Sequence, residues 1–159
     1  MAEHPDPNTA GTARATPSAG PRSTRSGPGV VLIALYGLLA LAATGRSVLQ
    51  ITEYFSRAPL AYLLSAVAAV IYIVATVALA RADRTSRRVA LAAISVELVG
   101  VLTVGLASYL VPSAFPDKTV WSHFGSGYGY VPLVLPILGL VWLRRTRIGA
   151  GAQPRPDAA

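Results

Sequence analysis

The chain has 159 residues, of which 53% are hydrophobic and 13% charged, with a formal net charge of +7. About a quarter of the residues in an average soluble domain are charged, so this composition supplies too little polar surface for one, and lipid is the solvent that fits it. There is no Cys, which excludes thiol–disulfide chemistry, Cys-ligated zinc and iron–sulfur clusters.

The positive charge does not read as a nucleic-acid face. It falls in short clusters between long apolar runs, and Lys118 is the single Lys among 14 cations. Residues 1–28 are rich in Pro, Gly, Ser, Thr and Ala and predict a disordered tail, since they cannot bury enough apolar surface to offset the entropy of ordering.

Four apolar runs follow, each near the roughly 20 residues that cross a bilayer core. They predict an all-α, four-transmembrane-helix bundle over residues 29–145, with spans at 30–49, 60–80, 89–111 and 124–143 and a tail at 146–159. The first run is interrupted late by Arg46. Val30–Leu39 before Ala40-Leu41-Ala42 also fits a cleaved secretory leader, which would leave three helices. The spanning reading is preferred because the apolar run continues past that point and a long segment precedes it. The second run opens at Pro59, whose missing N–H costs nothing in a first turn. The third has Thr85 or Ser86 as expected cap and Pro112 as its stop. The fourth is uncharged but carries Gly125, Gly127, Gly129, Pro132 and Pro136.

Basic flanks set the expected orientation. Arg14, Arg22 and Arg25 lie in the first tail, Arg81, Arg84, Arg87 and Arg88 between the second and third runs, and Arg144, Arg145, Arg147 and Arg155 at the end. The opposite side has only Arg46, Arg57 and Lys118. Eleven against three places both termini in the cytoplasm of a multi-pass cell-membrane protein. Aromatics from Tyr54 and Phe55 through Tyr62, Tyr109, Phe115, Trp121, Phe124, Tyr128 and Tyr130 are expected at the outer interface, with Trp142 at the inner one.

Glu97 is the main candidate for a functional group. Nine residues beyond Arg88, it sits about 13 Å into its helix, where an ionisable side chain is a functional hypothesis by default. Tyr72 has the same depth on the second helix and is the expected partner. The plainer reading is a neutral acid sharing one interhelical hydrogen bond. A second group, Arg46, Gln50 and Glu53, repeats at spacings of four and three on one helical face. With Asp117, His123 and Tyr130 it would form an outward-facing polar cavity; alternatively, Arg46 extends toward the headgroups and Glu53 pairs locally.

His123 lacks the further ligands of a metal site and the orienting motif of a Ser-His-Asp set, so neither metal, cofactor nor enzymatic activity is expected. Gly127-Tyr128-Gly129 resembles the selectivity-filter triplet of potassium channels. Gly125-Ser126 stands where that family has Thr-Val, however, and too few apolar residues would remain for an inner helix. Close helix packing against these glycines is the preferred reading. Ala61, Ser65 and Ala69, Gly37 and Gly45, and Gly100 and Gly105 extend the small-residue pattern of a packed bundle.

Gly45-Arg46-Ser47, Ala58-Pro59-Leu60-Ala61-Tyr62, Glu97-Leu98-Val99-Gly100 and Val120-Trp121-Ser122-His123-Phe124-Gly125 give residues 30–145 a character that resembles the small, uncharacterised four-helix integral membrane proteins of actinobacteria. That resemblance implies membrane location and no activity. The leading expectation is an accessory or structural protein that associates with itself or with another membrane protein. The alternative is a small oligomeric proton-coupled transporter or channel using Glu97.

Overall fold

The computed structural model describes residues 27–81 and 83–148. They form α1 (Pro28–Tyr54), α2 (Pro59–Arg81), α3 (Arg84–Leu110), the one-turn α4 (Ser122–Gly125) and α5 (Val131–Ile148), with 3-10 turns at Pro112–Ala114 and Ser126–Tyr128. No strand occurs among the described residues. The expected tail at 1–28 lies almost wholly outside them, as do the last eleven residues of the chain.

The three long helices begin and end for identifiable reasons. Pro28 and Pro59 occupy first-turn positions, where a missing N–H breaks no intrahelical bond. α1 continues past the expected end at Leu49 to Tyr54, because Arg46, Gln50 and Glu53 continue the helical spacing rather than interrupt it. α3 starts earlier than expected, and its cap is Asp83 rather than Thr85 or Ser86. The Ser86 amide donates to Asp83 Oδ1 at 2.5 Å, satisfying one of the free donors of the first turn. It ends before Pro112, with the Val111 amide on the Ala107 carbonyl.

α1, α2 and α3 are each long and apolar enough to cross a membrane. Their short connections make neighbours antiparallel. α1 packs chiefly on α2, α2 on α3, and α3 on α4 and α5, while α1 and α5 meet only sparsely. Inward faces carry small residues and three tyrosines: Ala61, Ser65, Ala68, Ala69 and Ala75 are buried on α2, with Tyr36, Tyr62 and Tyr72. Outward faces carry Leu38, Leu41, Val70, Val99 and Leu110, each 60% or more exposed. A soluble bundle has the reverse arrangement.

The fourth apolar segment is not a regular helix from Phe124. Residues Ser122–Tyr128 and α5 meet at 98°, so they are either one broken span or a re-entrant turn followed by a helix. His123, Phe124 and Gly125 have φ of 52°, 59° and 79°, and Gly129 and Tyr130 both have 61°. Gly125 must be glycine in this turn: a Cβ there would stand 2.8 Å from the Pro132 ring. Its left-handed backbone, which costs an L-residue about 1–2 kcal/mol, is free for glycine alone.

Packing against glycine is therefore used selectively. A Cβ at Gly100 would lie 2.7 Å from the Trp121 ring, and one at Gly105 2.5 Å from Phe124. Gly45, Gly127 and Gly129 face open space instead, so close packing does not explain them. The two notches on α3 receive aromatic side chains from the loop that follows it. Trp121 consequently lies 3% exposed in the core and Tyr62 1%, both turned into the protein. Tyr54, Phe55, Tyr109 and Tyr130 remain exposed.

Candidate functional site

Four polar side chains meet in the core. Glu97 on α3 is fully buried, and the Tyr36 hydroxyl of α1 donates to its Oε2 at 2.7 Å. Glu97 Oε1 has no partner among the described residues. The Tyr36 and Tyr72 rings stand 6.3 Å apart at 52°, and Trp121 Nε1 donates to the Tyr72 hydroxyl at 3.0 Å. Tyr72 is thus not the hydrogen-bond partner of Glu97. It forms the second half of the cluster, joining α2 to the loop after α3.

The fold makes room for this cluster through bare backbone. Gly139 brings α5 against it: a Cβ there would be 3.7 Å from the Tyr36 hydroxyl and 3.2 Å from Ile94. Gly100, one turn beyond Glu97, admits the Trp121 ring. All four long helices and the 119–122 loop converge on one point, and no Arg, Lys or His pairs with Glu97 among the described residues. An isolated buried carboxylate costs several kcal/mol in desolvation, so the arrangement suits a carboxyl group sharing one hydrogen bond better than a bare charge.

The loop that delivers Trp121 is pinned by side chains. The amides of Trp121 and Ser122 donate to Thr119 Oγ1 at 3.0 and 2.9 Å, and the Thr119 amide donates to Ser122 Oγ at 2.9 Å. The His123 amide donates to Ser108 Oγ at 2.8 Å. The donors of Thr119, Trp121 and Ser122 would otherwise be buried without a partner.

The expected outer-face residues do not form a single cavity. Arg46 donates through Nε to Gln50 Oε1 at 3.1 Å and through Nη2 to the Lys118 carbonyl at 2.8 Å. Asp117 accepts from the Tyr62 hydroxyl and pairs with Arg57 Nε at 3.4 Å. Together these contacts tie residues 117 and 118 to α1, α2 and the turn between them. Glu53 is exposed and shares none of these contacts. His123 lies elsewhere, edge-on to Tyr109 at 4.6 Å with its Nδ1 buried and unpartnered. Tyr130, half-exposed at the start of α5, joins neither group.

Two further features bear on chemistry. Among the described residues no three His, Cys, Asp or Glu lie close enough to hold a metal ion. A groove of about 350 Å³ between α1 and α2 is lined by Thr44, Ser47, Val48, Ile51, Ala66 and Ala69 among others, and its surface is apolar. It includes none of the Glu97 cluster.

Sequence reasoning singled out Glu97 and Tyr72 but missed Tyr36 and the interior role of Trp121. Tyr36 was within reach of the same depth argument. It lies eight residues into α1, about 12 Å, and a hydroxyl at that depth needs a partner. Nothing local marks Trp121, because its place depends on the Gly100 notch. No protein-family model, curated protein or solved structure matches the chain.

Proposed function

We propose that this chain is a multi-pass membrane protein with four crossings and both ends in the cytoplasm. In this reading it acts as an accessory or structural component, associating through its outward helix faces with itself or with another membrane protein. The observation that carries this is the closure of the polar interior. Glu97, Tyr36, Tyr72 and Trp121 pair among themselves with Glu97 wholly buried, while the long helices turn apolar faces outward. In lipid such faces associate by close packing, with no hydrophobic drive separating helices from acyl chains.

One observation favours a second reading. Glu97 Oε1 is buried and unpartnered, as a proton-binding site in a small oligomeric transporter would be. Purification of the tagged full chain from native membranes in mild detergent, with native sizing and mass spectrometry, separates the two. A stoichiometric membrane partner is the expected result. A homo-oligomer without a partner, combined with proton uptake into proteoliposomes that is lost in Glu97→Gln, overturns the accessory reading in favour of transport.

A further inference from the structure

The end of the bundle opposite the Asp117 loop gathers cations from two distant parts of the chain. Arg87, half-buried near the start of α3, donates through Nη1 to Thr146 Oγ1 at 3.1 Å and through Nη2 to the Leu143 carbonyl of α5. Its charge faces the carbonyl end of α5, where a cation is favourable. This contact sets the start of α3 beside the end of α5, and with them two exposed pairs: Arg84 and Arg88, one turn apart on α3, and Arg144 and Arg145 on α5.

Among the described residues, none of these four guanidinium groups forms an ion pair. Asp83, the acidic residue described at this end, is engaged in capping α3 through the Ser86 amide. The ion pair found among the described residues, Arg57–Asp117, belongs to the opposite end. Arg84 and Arg88, one turn apart on the same helix, repel, and an anion beside them relieves that repulsion. The surface just below is apolar: Ala92, one turn beyond Arg88, is exposed, and Val141, one turn before Arg145, is 42% exposed. Cations above an apolar flank match a ligand with a phosphate head and hydrocarbon chains.

We propose that Arg84, Arg88, Arg144 and Arg145 form a binding site for the phosphate of an anionic phospholipid at the seam of α3 and α5. The proposal rests on the membrane reading above, with this end at the cytoplasmic boundary. Arg presents a planar fork suited to phosphate oxygens. Each basic residue near an anionic leaflet strengthens attachment roughly fivefold.

Native mass spectrometry of the full chain, purified in detergent and supplied with phosphatidylglycerol or phosphatidylcholine, tests it. Wild type is expected to retain phosphatidylglycerol at least about tenfold better. The variant Arg84→Gln/Arg88→Gln/Arg144→Gln/Arg145→Gln is expected to lose that preference, and Arg57→Gln/Lys118→Gln at the other end to keep it. Should the quadruple variant fail to fold, Arg144→Gln/Arg145→Gln, with both side chains exposed, must still weaken the preference. Equal retention of the two lipids by wild type, or an undiminished preference in the Arg variants, overturns the proposal. Displacement of phosphatidylglycerol by millimolar inorganic phosphate overturns it in favour of a free-phosphate site. Failure of the membrane reading registers separately. The chain has no native Cys, so Thr85→Cys and Ser113→Cys can each be probed with an impermeant thiol reagent on intact cells, and labelling of Thr85→Cys alone reverses the orientation whatever lipid is bound.

Discussion

From Pro28 to Leu110 the chain closes most of its backbone hydrogen bonds within three helices; from Val111 to Tyr130 it relies on side chains, its own Thr119 and Ser122 and, from outside, Ser108 and Arg46. Elements of both regions, α2 of the first and α4 of the second, pack against α3. In the first, a helix carries its own hydrogen bonds into lipid, and burial of Ala, Ser and Tyr faces orients it. In the second, Thr119, Ser122, Ser108 and Arg46 satisfy backbone groups one by one. The non-glycine residues His123, Phe124 and Tyr130 adopt left-handed backbone there, at about 1–2 kcal/mol each. Such a segment is also anchored by Trp121 and Phe124, seated in the notches at Gly100 and Gly105.

The strongest way to break this contrast is to unseat the anchor. Trp121→Ala removes the largest side chain the loop buries and is expected to destabilise the protein by about 3–5 kcal/mol. The midpoint of unfolding in mixed detergent micelles measures this, and limited proteolysis should show new cleavage between residues 111 and 130 while α1–α3 stay protected. Trp121→Phe, which retains most of the burial but leaves the Tyr72 hydroxyl without its donor, should cost less, about 1–3 kcal/mol. If Trp121→Ala opens α1–α3 to protease as readily as the loop, the two regions are one cooperative unit and the contrast fails.

How much of this was legible beforehand follows the same division. Runs of apolar residues bounded by Pro59, Arg81, Arg88 and Pro112 mark self-contained helices, because hydropathy and backbone satisfaction coincide there. The Ala61, Ser65, Ala69 stripe marked a close-packing face of α2 without saying what packs on it; in the fold that face is buried inside the bundle. The fourth segment has similar hydropathy, but its path is set by contacts distant in sequence: Trp121 with Gly100 and Tyr72, and Arg46 with the Lys118 carbonyl. No local pattern encodes these. The glycines at 125, 127 and 129 announced irregularity without indicating that only Gly125 is closely packed. At the candidate site, depth along the helix singled out Glu97 but left two tyrosines eligible, and the rotation of each helix, which sequence spacing does not supply, selected Tyr36.

A smaller effect sharpens the account of α1–α3 themselves. If the Tyr36–Glu97 bond joins them, Tyr36→Phe leaves both carboxyl oxygens buried without a partner, at about 1–3 kcal/mol. Glu97→Gln retains an acceptor for Tyr36 and should stay within about 1 kcal/mol of wild type. The double variant Tyr36→Phe/Glu97→Leu should regain much of the loss, since replacing both partners by apolar groups removes the orphaned acid. Detergent unfolding midpoints of the three proteins check the order. A neutral Tyr36→Phe would mean that the regular helices are held by apolar packing alone.

The smallest expected effect concerns the start of α3, where a regular helix too relies on a side chain. The Ser86 amide, and then the Ser86 hydroxyl, hold the Asp83 carboxyl below its ordinary range. A depressed carboxylate contributes stability that is fully present above its unfolded value, about 3.9, and lost as pH falls through the lower folded value. Asp83→Ala should therefore be less stable than wild type at pH 7, and the gap should be smaller at pH 2, as the native carboxyl takes up protons. Paired unfolding midpoints at the two pH values decide it. A gap that persists at pH 2 would mean that a neutral Asp83 caps α3 as well as the anion does, and that geometry rather than charge sets the start of this helix.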